Sequence, residues 1–211
     1  MNSLEKISAI KKELKDTQLI IVTKKQTIET IKKVYNYGER EFAENRINDL
    51  IRKKNLLPKD IKWHLIGHLQ TNKVKKIIPF IHLIQSVDSV KILNIINKYA
   101  EKQNRIINCL IQIKISKEKT KFGFSTEEGV KLLNSNLKEK YPNISIKGIM
   151  CMATFTQNKN TIKKEFQIMK NIFDKLTIKN PILSMGMSSD YKLAKKLGSN
   201  MVRIGSLIFK N

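Results

Sequence analysis

Short apolar runs rich in β-branched residues alternate along this chain with longer stretches whose apolar positions recur at helical spacing. Met1–Lys15 reads as a helix. Gln18-Leu-Ile-Ile-Val-Thr23 follows, a continuous run that fits a strand buried on both faces and stops at Lys24-Lys25. Thr27 then suits an N-cap, Thr30-Ile31 and Val34-Tyr35 recur at helical spacing, and Gly38 suits the position just past the helix end. The unit repeats. Strand Glu41–Glu44 precedes helix Asn45–Lys54, and strand Ile61–Ile66 precedes a helix from Thr71 to Ile78. Strand His82–Gln85 precedes helix Ser89–Lys102, and strand Ile106–Ile113 precedes a loop and helix Ser125–Leu137. Strand Ser145–Met150 and helix Asn160–Leu176, then strand Ile182–Ser184 and helix Asp190–Leu197, lead to a last strand, Met201–Ile204.

Strict alternation of strands and helices predicts the α/β class, a parallel sheet with helical crossovers. About eight such units in roughly 200 residues favour a closed (β/α)8 TIM barrel, with an open doubly wound sheet as the alternative. No Pro-, Gly- or Ser-rich linker divides the 211 residues, so one domain, 1–211, is expected.

Composition narrows the picture. No run reaches the roughly 18 apolar residues of a membrane helix, since Lys or Asn breaks each one. Met1–Lys15 lacks the apolar core of a secretory signal. Cys109 and Cys151 sit inside apolar runs, without a Cys or His at metal-ligand spacing, and read as buried thiols of a cytoplasmic protein. Lys+Arg 41 against Asp+Glu 18 gives a net charge of +23, which would suit an anionic partner such as nucleic acid. The lysine pairs Lys11-Lys12, Lys32-Lys33, Lys53-Lys54, Lys75-Lys76, Lys163-Lys164 and Lys195-Lys196 fall on nearly every predicted helix, with few aromatics beside them. That dispersion describes a solvated outer ring, so no nucleic-acid partner is expected.

In a barrel, chemistry collects at the C-terminal ends of the strands, with phosphate commonly held after strands seven and eight. Those two ends carry Met185–Asp190 and Arg203–Ser206. Gly186 and Gly205 allow close backbone approach, Ser188 and Ser206 offer hydroxyls, and a helix starting near Asp190 would aim N–H groups at an anion. Lys24, at the end of the first strand, would face the mouth, where partial desolvation favours the free amine. A phosphate site plus such a lysine points to a phosphorylated carbonyl compound, pyridoxal 5′-phosphate (PLP) or an aldolase sugar phosphate; Lys25 competes with Lys24 for the role.

Five motifs in order carry a resemblance that spans Leu19 to Phe209. They are Ile21-Val-Thr-Lys24, Phe42-Ala-Glu-Asn45, Trp63-His-Leu-Ile-Gly-His-Leu-Gln-Thr-Asn-Lys73, Ser184-Met-Gly-Met-Ser-Ser-Asp190 and Gly198-Ser-Asn-Met-Val-Arg-Ile-Gly-Ser206. They resemble the pyridoxal phosphate homeostasis protein family, which has an alanine racemase N-terminal-domain-like barrel of PLP fold type III. The resemblance implies a Schiff base between PLP and Lys24, phosphate held by Ser188, Gly205 and Ser206, Asn45 lining the pocket, and Arg203 facing the pyridine nitrogen. A cation there would keep that nitrogen unprotonated and weaken the ring as an electron sink. Ala43, Gln26, Lys114, Ser206 and Lys210 depart from the family's usual residues, and the usual short tail after Asn211 is missing; none of these removes an implied anchor.

The function this implies is PLP homeostasis: buffering and delivery of the cofactor, with effects on amino-acid and keto-acid balance and no established catalysis. Only Ser206–Asn211 follow the last predicted strand, leaving no room for the second domain that alanine racemase uses. A weak amino-acid racemase, or another PLP enzyme using Lys24 as its base, is the alternative. PLP-dependent apoenzymes are the implied partners, and a monomer is expected. His64 and His68 straddle Gly67 with no carboxylate nearby in sequence, so no metal is expected; Trp63 and His64 read as barrel packing and His82 as a strand start.

Overall fold

Parallel strands whose two faces are both covered should be largely buried, and the strands of this chain are, with polar side chains at several buried positions. The computed structural model describes residues 1–116 and 122–210. Within them lie β1 (Gln18–Val22), β2 (Glu41–Glu44), β3 (Lys62–Leu65), β4 (Leu83–Val87), β5 (Ile107–Gln112), β6 (Ile144–Met150), β7 (Ile182–Met187) and β8 (Met201–Ile204). Each pairs in parallel with the next, and β8 closes on β1 with Ile20 opposite Arg203, giving the closed (β/α)8 barrel.

Side-chain parity divides the apolar residues into two groups. Ile20, Val22, Ala43, Leu83, Leu110, Met150 and Met201 come from strands alone and fill the inside of the barrel. Their neighbours of opposite parity, among them Ile21, Phe42, Leu65 and Ile111, pack outward against the helices. Those helices are α1 (Ser3–Leu14), α2 (Ile28–Asn36), α3 (Ile47–Leu56), α4 (Val74–Ile77), α5 (Val90–Glu101), α6 (Thr126–Leu133), α7 (Leu137–Lys140), α8 (Lys159–Phe173), α9 (Tyr191–Lys196) and α10 (Ser206–Phe209). Thr27 and Ser89 cap α2 and α5, while Asn2 with Glu5 and Ser125 with Glu128 form capping boxes on α1 and α6.

Several boundaries differ from the pattern-based reading. The helix expected over Thr71–Ile78 begins as a 3₁₀ turn, Thr71–Lys73, and neither Gln70 nor Lys73 makes a side-chain cap. The helix expected over Ser125–Leu137 breaks at Asn134–Asn136, where the Ser135 hydroxyl donates to the Leu132 carbonyl and competes with the helical pattern. β7 runs on to Met187 because Ser184, which looked like a strand end, turns inward to hydrogen-bond Gln85. The loop expected after β5 lies partly outside the described residues. Cys109 and Cys151 are buried and neither is in a disulfide, and burial pushes the Cys109 thiol well above its ordinary value. No helix among the described residues is long and apolar enough to cross a membrane.

Candidate functional site

The C-terminal ends of the strands form the rim at which Lys24, Asn45, Gly205 and Ser206 converge. They line one cleft of about 540 Å³, together with Val22, Lys25, Gln26, Arg46, Asp49, Phe209 and Lys210. Lys24 stands two residues beyond β1, in a turn that closes with Lys25 in the left-handed region at φ 64°. Its side chain is exposed, so the desolvation expected of it is absent: β1 ends at Val22, and the turn carries the amine out of the strand's packed environment. Lys25 lines the same cleft, and both lysines that the sequence left in competition stay within its reach.

Asn45 follows β2 and is fixed by a close backbone crossing. A Cβ on Gly67 would lie 2.0 Å from the Asn45 carbonyl oxygen, so only glycine allows the β3 end to pass so near. At the other side of the cleft the β8 end presses on β1, where a Cβ on Gly205 would sit 2.8 Å from the Val22 carbonyl oxygen. Ser188, beyond β7, accepts hydrogen bonds from the backbone N–H groups of Gly205 at 3.3 Å and Leu207 at 3.2 Å. These donors belong to the start of α10, a helix absent from the sequence reading, whereas the donors had been expected at the helix starting near Asp190. Asp190 instead turns its carboxylate back to accept from the Met187 N–H at 2.6 Å, and burial raises that carboxyl above its ordinary value.

Arg203 lies beneath the rim, 3% exposed, inside the barrel. One guanidinium N–H group donates to the Ser184 hydroxyl and another to the Cys151 carbonyl at 2.7 Å. Burial lowers the Arg203 pKa below its ordinary value, a shift that the nearby Asp190 carboxylate opposes. Below it a polar column continues down the interior. The Ser184 hydroxyl donates to Gln85 Oε1 at 2.7 Å, Gln85 Nε2 to His64 Nδ1 at 3.0 Å, and His64 Nε2 to Glu41 Oε2 at 2.7 Å.

The sequence reading gave no role to four of the residues that hold the site. Ser184 and Gln85 share the inward parity of Ile182 and Leu83, a signal that a polar residue on an inward position of a buried strand would have given. Lys53 and Glu44 are the others. Lys53 had been assigned to the solvated surface, yet it is 1% exposed and Glu44 is fully buried. Lys53 Nζ donates to Glu44 Oε1 at 2.6 Å and to the Thr23 carbonyl at 2.7 Å, while Glu44 Oε1 also accepts from the Thr23 hydroxyl at 2.5 Å. Its position on the Ile47, Leu50, Lys53 stripe of α3 explains the burial. The ion pair thereby clamps the peptide that leads into Lys24.

The histidines are not isolated from carboxylates, as their sequence neighbourhood had implied. His68 pairs with Asp88 at 2.6 Å and stacks on Phe122 with ring centroids 3.8 Å apart, and His64 contacts Glu41. Strand pairing brings Glu41 and Asp88 to residues more than 19 positions away in the chain.

Residues 4–211 match the family model described as the alanine racemase N-terminal domain. A pyridoxal phosphate homeostasis protein of Helicobacter pylori (strain ATCC 700392 / 26695) is 36% identical over 196 residues, covering 92% of this chain and 87% of the relative. The solved structure of PipY from Synechococcus elongatus PCC7942, with PLP bound, superposes with a TM-score of 0.88 at 27% identity, covering 99% of this chain and all of PipY. An alanine racemase from Clostridium difficile shares the fold at TM-score 0.82 and 17% identity, and this chain spans 56% of it.

Proposed function

Because this chain belongs to the pyridoxal phosphate homeostasis proteins, a family built on the alanine racemase N-terminal domain, we propose that it binds PLP at the rim and serves in PLP homeostasis, holding the cofactor and passing it on. The observation that carries the reading is the convergence of Lys24, Asn45, Gly205 and Ser206 on one cleft. The residues fit the group: a glycine cradle against Val22, a serine already bonded by two backbone N–H groups, and a volume in the range of cofactor sites.

PLP supplies an aldehyde that condenses with a primary amine and a phosphate that anchors it. Lys24 provides that amine from an exposed turn, which leaves it open to displacement by an incoming amine, as release of the cofactor requires. The Ser188 and Ser206 hydroxyls offer the phosphate donors, and Gly205 lets it approach the backbone closely. Arg203 carries donors only, so it keeps an aromatic nitrogen placed against it unprotonated. Asn45 contributes an amide at the side of the cleft.

Within this reading the chain acts as a single barrel domain, a monomer, in the cytoplasm, where buried thiols such as Cys109 and Cys151 stay reduced. PLP-dependent apoenzymes would receive the cofactor, and catalysis is not its role. Reduction of the PLP-loaded protein with borohydride followed by peptide mapping tests the site: the label should fall on Lys24 and vanish in Lys24→Ala. A label retained on Lys25 would overturn the assignment. Sustained turnover of D- or L-amino acids by the purified protein would overturn the non-catalytic part alone.

A further inference from the structure

The opposite end of the barrel holds a second cluster that the PLP reading does not use. Glu41 opens β2, His64 sits at the third position of β3, and His82 immediately precedes β4, so neighbouring strands bring the three together. One ligand atom from each, a carboxylate oxygen and two imidazole nitrogens, lies within 4.8 Å of the others. The His64 and His82 ring centroids are 5.5 Å apart. His64 is buried and its orientation is fixed from behind by the Gln85 amide. Neither ring nitrogen of His82 has a hydrogen-bond partner among the described residues.

We propose that Glu41, His64 and His82 form a binding site for a borderline divalent transition cation of the zinc class. Two imidazoles and one carboxylate are a donor set that such cations favour over magnesium or calcium, which require more oxygen ligands. Tetrahedral coordination with bonds of about 2.0–2.1 Å places ligand atoms about 3.3 Å apart. Glu41 Oε2 and His64 Nε2 are closer than that, at 2.7 Å, because a proton lies between them. The cation displaces this proton from Nε2, and His82 swings in to complete three protein ligands with water in the remaining position. Glu41 keeps Oε1 for Lys62, which holds it at 3.1 Å. With the cation on His64 Nε2, the proton of the neutral ring moves to Nδ1, and the Gln85 amide turns its oxygen to accept it. A second-layer contact of this kind orients the ligand and tunes affinity.

The test uses tag-free protein cleared of metal with a chelator and titrated calorimetrically with zinc chloride, with magnesium chloride as the hard-cation control. One equivalent of zinc should bind in the micromolar range and magnesium should not. His82→Ala and Glu41→Gln, both at the open end of the cluster, should each weaken zinc about tenfold or more while keeping the wild-type circular dichroism spectrum. Cobalt(II) should give a tetrahedral-type visible band in the wild type that His82→Ala abolishes. No saturable zinc binding, or unchanged affinity in His82→Ala, would overturn the proposal. PLP binding at Lys24 is measured separately, at the other end of the barrel, so failure of this proposal and failure of the PLP reading are distinguishable.

Discussion

Lys53→Met probes how the fold holds the end of β1 that leads into Lys24. Lys53 and Glu44 are buried, with their charges 2.6 Å apart. At an effective dielectric near 20 that separation gives an attraction of about 6 kcal/mol, which is largely offset by the several kcal/mol that each ion loses on leaving water. The pair itself is therefore close to neutral, but removing one member is not. Methionine fills the lysine's volume and leaves Glu44 as an uncompensated buried carboxylate, one of whose oxygens has no partner among the described residues. The expected loss is about 3–5 kcal/mol, a large share of the roughly 5–15 kcal/mol that stabilises a domain. Urea unfolding should show a lowered midpoint with an unchanged slope. Lys53→Met/Glu44→Gln should regain most of the stability, because it removes the orphaned charge. It still lacks the donor to the Thr23 carbonyl, so its affinity for PLP should remain reduced. A loss below about 1 kcal/mol in the single variant, typical of exposed ion pairs, would refute the argument, as would a double variant no more stable than the single one.

Three other outcomes follow from the site. Gly205→Ala places a methyl 2.8 Å from the Val22 carbonyl oxygen; it should cost about 1–3 kcal/mol in urea unfolding and weaken PLP in equilibrium dialysis, whereas Ser206→Ala should affect only the latter. Burial raises the Asp190 carboxyl above 3.8, so the folded state holds that proton more readily than the unfolded one, and ionisation costs stability as pH rises through the raised value. Asp190→Asn should then match the wild type in urea midpoint at about pH 3 and gain on it as pH approaches neutrality; a constant difference across that range counts against the assignment. Cys109 and Cys151 should react with a thiol reagent only at the rate of unfolding, and rapid labelling of native protein would contradict their burial.

The order of strands and helices was legible because each apolar run ends at turn or cap residues such as Lys24-Lys25, Thr27, Ser89 and Ser125. The rim residues were legible by position, since βα alternation by itself locates strand C-termini. What escaped was set by packing. Lys53 is one of 36 lysines, and composition makes it look like the rest; only its place on the apolar stripe of α3 distinguishes it. α10 is a four-residue helix, too short for periodicity to register, although its first N–H groups are the ones that meet Ser188. Partnerships such as Glu41 with His64 join residues 23 positions apart, and nothing local in the sequence announces them.

The polar column inside the barrel bears on how Arg203 works. A guanidinium 3% exposed would be costly to bury without acceptors, and here they come from beneath: Ser184 and the Cys151 carbonyl hold it, Gln85 holds Ser184, and His64 with Glu41 holds Gln85. Apart from the Cys151 carbonyl, just past β6, every link runs through an inward position of a strand, the least mobile backbone available. The cation is therefore oriented before any ligand arrives, and little ordering cost remains to be met on binding. The same column explains why the interior tolerates a glutamine, a serine and a histidine among Ile20, Leu83, Leu110 and Met150. Each is satisfied by the next, and losing one member leaves its neighbour unpaired in a low-dielectric core. Ser184→Ala thus removes a methylene-sized group's worth of volume at most, but frees one Arg203 N–H group from its acceptor, which makes Arg203 the residue through which damage to the column reaches the rim.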